Sequence, residues 1–429
     1  MSSDLTPIQL LAQEAKALLT RLDLVKPFIL QQPAVTAAHI SPSASNAIER
    51  YLANGRRDLR DLVHGYLQWL SGSAGRGNPA EAQRRYSIVR LKFNAVLTQF
   101  DVFADVLTQR SEHDTGVWLS GLDAAAADVL ALNEYYQAPA VVCYLDRGAG
   151  AAIRRARTRL PGGGQNPVAV VRIPRERMVG SGIASSLAHE VGHQAAALLG
   201  LVESLRSALR AVQATAGNHG VWQYWERWIS EIIADFWSVA RVGVGSTLGL
   251  MEVVSLPKAF VFRINLDDPH PVPWIRVKLS CHIGKVMYPH PQWDRLAALW
   301  NVLYPTKDLA AEKRNILDSL EAGIPEFIRV LLNHRPKTLR GRTLIQVMGS
   351  AQRQPARLTA LIKQWSSIPE QMYRTSPSLA FAAIGQAKHD GRLTPHEENR
   401  MLTRLLTHWA LKARVDKADA TTAPVAAAA

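Results

Sequence analysis

The sequence predicts an α+β fold that is mainly α-helical, with a small β-sheet in a central domain flanked by helical domains. Three observations predict it. Apolar residues recur at three- and four-residue spacing through most of the chain, which is the period of one helix face. Two runs, Ala140–Leu145 (AVVCYL) and Val168–Ile173 (VAVVRI), are instead rich in β-branched residues and of strand length. Hydrophobic residues make up 47% of the 429 and charged residues 20%, which is enough apolar material for large cores.

The elements follow in order. Helical spacing runs through Ile8–Leu22, Ala47–Leu70, Ala80–Leu107 and Leu122–Leu132, which makes residues 1–135 a helical N-terminal domain. The segment Ser71–Pro79 (SGSAGRGNP) reads as a loop from its Gly, Ser and Pro content. Residues 136–305 form the central domain, opening with the two strands. The connection between the strands, Arg147–Asn166, holds the one dense basic cluster (Arg154, Arg155, Arg157 and Arg159) and the run Gly162-Gly163-Gly164. It carries neither a P-loop nor a dinucleotide fingerprint. A helix is expected over Ser185–Leu199 with Gly200 as C-cap, and a second over about Trp222–Val242. The stretch Asn265–Pro291 is rich in Pro and His and reads as irregular. From Trp293 the chain is helical again, with residues 306–415 as a C-terminal domain. The tail at 416–429 (DKADATTAPVAAAA) is low in complexity and expected to be disordered.

Lys and Arg number 50 against 36 Asp and Glu, a formal net charge of +14, so an acidic partner is a natural expectation and nucleic acid a lesser one. The two cysteines, Cys143 and Cys281, form no CxxC pair, which argues against a thiolate metal site or a disulfide framework. The first 22 residues lack the basic-then-apolar layout of a secretory signal, and no 18-residue apolar run occurs. A soluble, cytoplasmic protein is expected, with export by another route left open.

One motif carries chemistry. Residues 189–193, His-Glu-Val-Gly-His, read HExxH. On a helix, positions four apart share a face, so His189 and His193 can present imidazole nitrogens to one ion. Glu190 is offset round the helix and lies beside the ion, where a general base belongs. The flanking residues are small or apolar, and burying such a polar cluster is costly unless a metal or partners satisfy it. A catalytic zinc needs a third protein ligand. The positions that would complete HExxHxxGxxH are Ala196 and Leu199, so that ligand lies elsewhere. Ser230-Glu231-Ile232-Ile233-Ala234-Asp235 supplies a carboxylate pair four apart. Glu231 is expected to ligate zinc and Asp235 to hold the other ring nitrogen of His189.

AHEVGHQ followed by SEIIADF resembles the gluzincins, zinc peptidases that combine HExxH with a downstream ExxxD helix. Within them it is most similar to the group containing the CAAX prenyl and heat-shock membrane proteases. The resemblance covers about residues 138–300 and extends loosely to a His-Pro element and a following Arg, here within Asp267-Asp268-Pro269-His270-Pro271-Val272-Pro273-Trp274-Ile275-Arg276. It implies a zincin-like catalytic domain. Two features depart from the group: its membrane spans are absent, and the gap from His193 to Glu231 differs from that of thermolysin-like enzymes. The exopeptidase marker GxMEN is missing, though Gly249-Leu250-Met251-Glu252 echoes part of it on the other side of the zinc helix.

The expected activity is zinc-dependent endopeptidase hydrolysis of a protein or peptide, with Glu190 moving the proton. The oxyanion also needs a donor from the protein. His270 and Arg276 are the candidates, with Tyr288 and His290 behind them. The strand at 168–173 precedes the zinc helix and offers an edge for an extended peptide. Two other readings stay open: an aminopeptidase or other amide hydrolase using the same zinc, and a non-catalytic basic binding protein with a structural metal site.

Overall fold

The first helix starts where the sequence stops it from starting earlier. Thr6 caps it in a capping box with Gln9, and Pro7 occupies the first helical position. The same device, a polar cap followed by proline, opens later helices at Ser41-Pro42, Asn78-Pro79 and Thr394-Pro395. These features come from a computed structural model that describes residues 6–25, 35–148, 150–175, 180–215, 219–265 and 267–422.

In chain order the N-terminal helices are α1 (Pro7–Leu24), α2 (Pro42–Ser71), α3 (Ser73–Arg76), α4 (Pro79–Thr108) and α5 (His113–Leu130). Three strands follow, β1 (Val141–Asp146), β2 (Ala152–Arg154) and β3 (Ala169–Pro174). The next helices are α6 (Ser181–Leu198), α7 (Leu201–Thr215), α8 (His219–Val242), α9 (Val244–Val254), α10 (Lys258–Val261), α11 (Pro273–Met287) and α12 (Gln292–Leu303). The last are α13 (Ala311–Asn333), α14 (Leu344–Met348), α15 (Pro355–Ser367), α16 (Glu370–Arg374), α17 (Pro377–His389) and α18 (Pro395–Thr422). The fold is α+β and mainly α-helical, as expected, with one small sheet. Among the described residues no helix is long and apolar enough to cross a membrane.

The chain divides into two compact units. Unit 1 holds residues 1–119, 139–144 and 154–170. Its core joins Leu11, Leu18 and Leu22 of α1 to Ile48, Leu59 and Val63 of α2 and Val89, Phe93 and Phe100 of α4, and takes in Val142, Val168 and Val170. Unit 2 holds residues 120–138, 145–153 and 171–429. In it α6 packs on α8 and α9, α17 packs on α8 and α9, and α11 packs on α8, α9, α12 and α13.

Several expectations are corrected. The division is not the three-way one with boundaries near 135 and 305. Val142 and Val168 pack with the N-terminal helices, whereas Trp237 donates its indole N–H to the Val129 carbonyl, 3.1 Å away, which ties the end of α5 to α8. The C-terminal helices are not separate either, since α13 and α17 pack directly on α8. Residues 273–287, read as irregular, are helix α11: Pro273 sits at the first helical position, where a missing N–H costs nothing. The loop at 71–79 contains the single turn α3, and the basic connection contains the third strand, β2. The sheet order is β1-β3-β2, so the strand expected to offer a free edge is central and already paired on both sides. Finally, α18 continues to Thr422, so residues 416–422 of the expected disordered tail are helical, while 423–429 lie outside the described residues.

Candidate metal centre

Helix α6 is buried on nearly every side, with Ile183, Ala184, Leu187, Ala188, Val191, Ala195 and Ala196 all in the core. Such a helix is held by neighbours rather than by an amphipathic stripe. One neighbour, α8, comes unusually close at Gly192. A methyl group there would sit 2.9 Å from both Ala234 Cα and Trp237 Cβ. Serine hydroxyls link both helices to α9: Ser185 of α6 donates to the Ser246 carbonyl at 2.9 Å, and Ser246 donates to Ser238 Oγ of α8 at 2.7 Å. The C-cap of α6 is Leu199 rather than Gly200, which follows it in the left-handed region with φ 61°.

The close approach of α6 and α8 brings two imidazoles to one carboxylate. His189 Nε2 is 3.2 Å from Glu231 Oε2, and His193 Nε2 is 3.5 Å from Glu231 Oε1. The ligand atoms of these three residues all lie within 4.8 Å of one another, so the group can hold a metal ion. Asp235, one turn along α8, takes the other side of the first ring: His189 Nδ1 is 2.8 Å from Asp235 Oδ1. Donation of Nδ1–H to that carboxylate turns Nε2 toward Glu231. Arg276, from the first turn of α11, clamps Asp235 with Nε at 2.6 Å and Nη2 at 2.9 Å.

The electrostatics describe a site that wants a cation. Glu231 is buried and its Oε2 accepts no hydrogen bond, although His189 Nε2 and His270 Nε2 stand 3.2 and 3.3 Å away. Arg276 Nη2 lies 3.8 Å from the same oxygen, so positive groups already offset part of its burial cost. Burial opposes the charge of Glu231, yet the two imidazoles outweigh it and hold its carboxyl well below the usual range. Burial also works against Asp235, but Arg276 and His189 bring it down to about 2. For His189, burial disfavours the charged ring, and Asp235 with Glu231 overcomes this and lifts it to about 9. Two imidazole nitrogens and a carboxylate form a donor set that fits a divalent ion of the zinc kind.

His270 comes from the loop before α11. It is half-exposed, with Nε2 toward Glu231 and Nδ1 2.8 Å from Asp268 Oδ1. Burial raises the Asp268 carboxyl, but hydrogen bonds from the His270 backbone and ring more than offset it and lower it. Glu190 is only 8% exposed. It lines a cleft of about 130 Å³ together with His189, Asp235, His270, Arg276, Ser185 and Ser186. Leu250 and Val253 supply its apolar wall.

Thus His189, Glu190, His193, Glu231, Asp235, His270 and Arg276 are brought together. Tyr288 and His290 are not. The Tyr288 hydroxyl is buried and donates to the Ala240 carbonyl at 2.7 Å, and His290 Nδ1 accepts from Gln292 N at 3.3 Å in the turn before α12. Neither lines the cleft. Arg276 is present, but its guanidinium is committed to Asp235 rather than free as an oxyanion donor. The sequence reading missed Asp268, which holds the His270 ring, and the place of Ser185 and Ser186 in the cleft lining. Asp268 stands two residues before His270, and its carboxylate also takes the His270 backbone N–H at 3.0 Å. Such a turn is a usable signal. Ser185 stands one helical turn before His189.

Comparison of the chain with protein-family models, with curated proteins and with solved structures gave no match.

Proposed function

We propose that the chain is a zinc-dependent endopeptidase, with zinc held by His189, His193 and Glu231 and with Glu190 as general base. The observation that carries this reading is the buried, unbonded Glu231 Oε2 facing imidazole nitrogens, with a second buried carboxylate, Glu190, on the adjoining cleft. A purely structural metal site has no use for that second carboxylate. Zinc, when bound, supplies a Lewis acid that polarises a carbonyl and acidifies water.

The protein's own groups do the rest. Glu190 accepts the proton of the attacking water and returns it to the leaving amine. Asp235 fixes the His189 tautomer so that Nε2 faces inward, and Arg276 fixes Asp235. His270, oriented by Asp268, is the donor to the oxygen on which charge develops. Arg276 is therefore a positioning residue in this reading, and His270 the donor. The setting we propose is cytoplasmic: both cysteines are buried and neither is in a disulfide, in keeping with a reducing compartment. The substrate is a protein or peptide, and the net charge of +14 favours acidic partners.

The test is metal content and cleavage of a random-sequence peptide library, measured side by side. Wild type is expected to carry about one zinc per chain. His193→Ala loses the metal, whereas Glu190→Gln keeps it and loses cleavage. Equal zinc in wild type and His193→Ala, or full cleavage by Glu190→Gln, overturns the reading.

A further inference from the structure

Unit 1 contains a cavity far larger than the cleft beside the histidines, about 640 Å³. Helix α2 contributes Arg50, Tyr51 and Asn54 to it, α4 contributes Lys92 and Val96, and the connection before β3 contributes Arg157, Gly162–Gly164 and Asn166. This volume is in the range of sites for small organic ligands, about 300–1,000 Å³.

Its charge is one-sided. Arg50, Lys92 and Arg157 face the cavity against a single acid, Asp58, and among the described residues none of the three cations forms an ion pair. Gathering like charges without counter-charges is unfavourable, and an anion between them relieves it. Asn166 braces the connection from within. It is 2% exposed, and its Nδ2 is committed to the Arg154 and Arg155 carbonyls at 3.0 Å each, which leaves Oδ1 without a partner.

The glycine run builds the cavity rather than binding by itself. A methyl group on Gly162 would lie 2.5 Å from Val96 Cγ2 and 3.0 Å from Val96 N, so any side chain would push the connection off α4. Gly163, with φ 109° and open space around it, leaves the backbone bare at the lining. The Tyr51 ring, packed edge-on against Phe100 and Phe103, offers a half-buried aromatic surface beside the cations.

We propose that this cavity binds an organic phosphate of mononucleotide size, with the phosphate among Arg50, Lys92 and Arg157 and the organic part against the Tyr51 ring. Nothing in the peptidase reading requires such a site.

Calorimetric titration of the full chain tests it, with AMP, adenosine, inorganic phosphate and a single-stranded oligonucleotide as probes. AMP is expected to bind at least about tenfold more tightly than adenosine or inorganic phosphate. Its affinity should fall when salt is raised from about 0.05 M to about 0.5 M, because the cations are exposed. The double variant Lys92→Gln, Arg157→Asn should lose about tenfold or more. Asn suits position 157, where φ is 64°. Equal binding of AMP and adenosine overturns the proposal, as does equal binding of AMP and inorganic phosphate. So does wild-type affinity in the double variant, or no AMP binding at millimolar concentration. An oligonucleotide that binds far more tightly than AMP replaces the small ligand with a nucleic acid track.

Discussion

Asp235 serves two masters, the His189 ring and the Arg276 guanidinium, and its replacement separates orientation from charge. In Asp235→Asn the amide still fits, but one face of it donates where it should accept, so the ring is free to turn. Loss of such an outer partner weakens metal binding about 10–100-fold. Competition with a zinc chelator measures this, and circular dichroism should show the helices intact. Unchanged zinc affinity would remove Asp235 from the site. The same residues give the metal-free protein a pH signature. His189 has a folded pKa raised from 6.5 to about 9, so its stabilising effect is complete below about 6.5 and lost as pH rises through about 9. Asp235 is depressed to about 2, so its contribution is present above its ordinary range and lost only as pH falls toward about 2. Metal-stripped protein should therefore melt at lower temperature at about pH 9.5 than at about pH 6.5. Zinc should abolish that alkaline loss, because the ion then stands where the proton did. An alkaline loss of the same size with and without zinc would contradict the assignment of His189.

At the scale of elements, the separation of α6 from α8 decides whether the imidazoles reach the carboxylate. Gly192→Ala places a methyl 2.9 Å from the α8 backbone, so the helices must part or strain. Overpacking of this kind costs about 1–3 kcal/mol, and here it should also weaken zinc binding. Gly65→Ala is the contrast. It lies inside α2 with nothing within 4 Å of the added methyl, and should stabilise by up to about 1 kcal/mol. Thermal melts of both variants check the pair, and a Gly192→Ala protein as stable and zinc-avid as wild type would refute the close-approach argument. The element scale also marks what could be read in advance. His189 with His193, and Glu231 with Asp235, were legible because four-residue spacing on a helix is a fixed geometry. His270 reaches the site from a loop, where spacing says nothing about direction. Helix α11 was hidden because a stretch dense in proline and histidine looks irregular until Pro273 is recognised as a first-turn residue. The contact at Gly192 is a tertiary fact, and a glycine inside HExxH gives no hint of which helix it admits.

At the scale of the molecule, the chain passes between the two units at residues 119–120, 138–139, 144–145, 153–154 and 170–171. A single cut therefore isolates neither. A fragment beginning at residue 136, the boundary that composition suggests, lacks residues 120–135 of unit 2, including Leu122 and Val129 of its core. It should be recovered insoluble or without bound zinc, and a soluble, zinc-loaded fragment would show that those residues are dispensable. This division was illegible for a physical reason: strands shared between cores break the link between sequence neighbours and packing neighbours. The burial of α6 on nearly all sides has one more consequence. An ion whose ligands hang from the best-shielded backbone of a unit leaves only when that backbone opens. Amide protons of residues 183–199 should thus trade for deuterium on the same slow clock that governs escape of the metal, and stripping the metal should make that clock run faster.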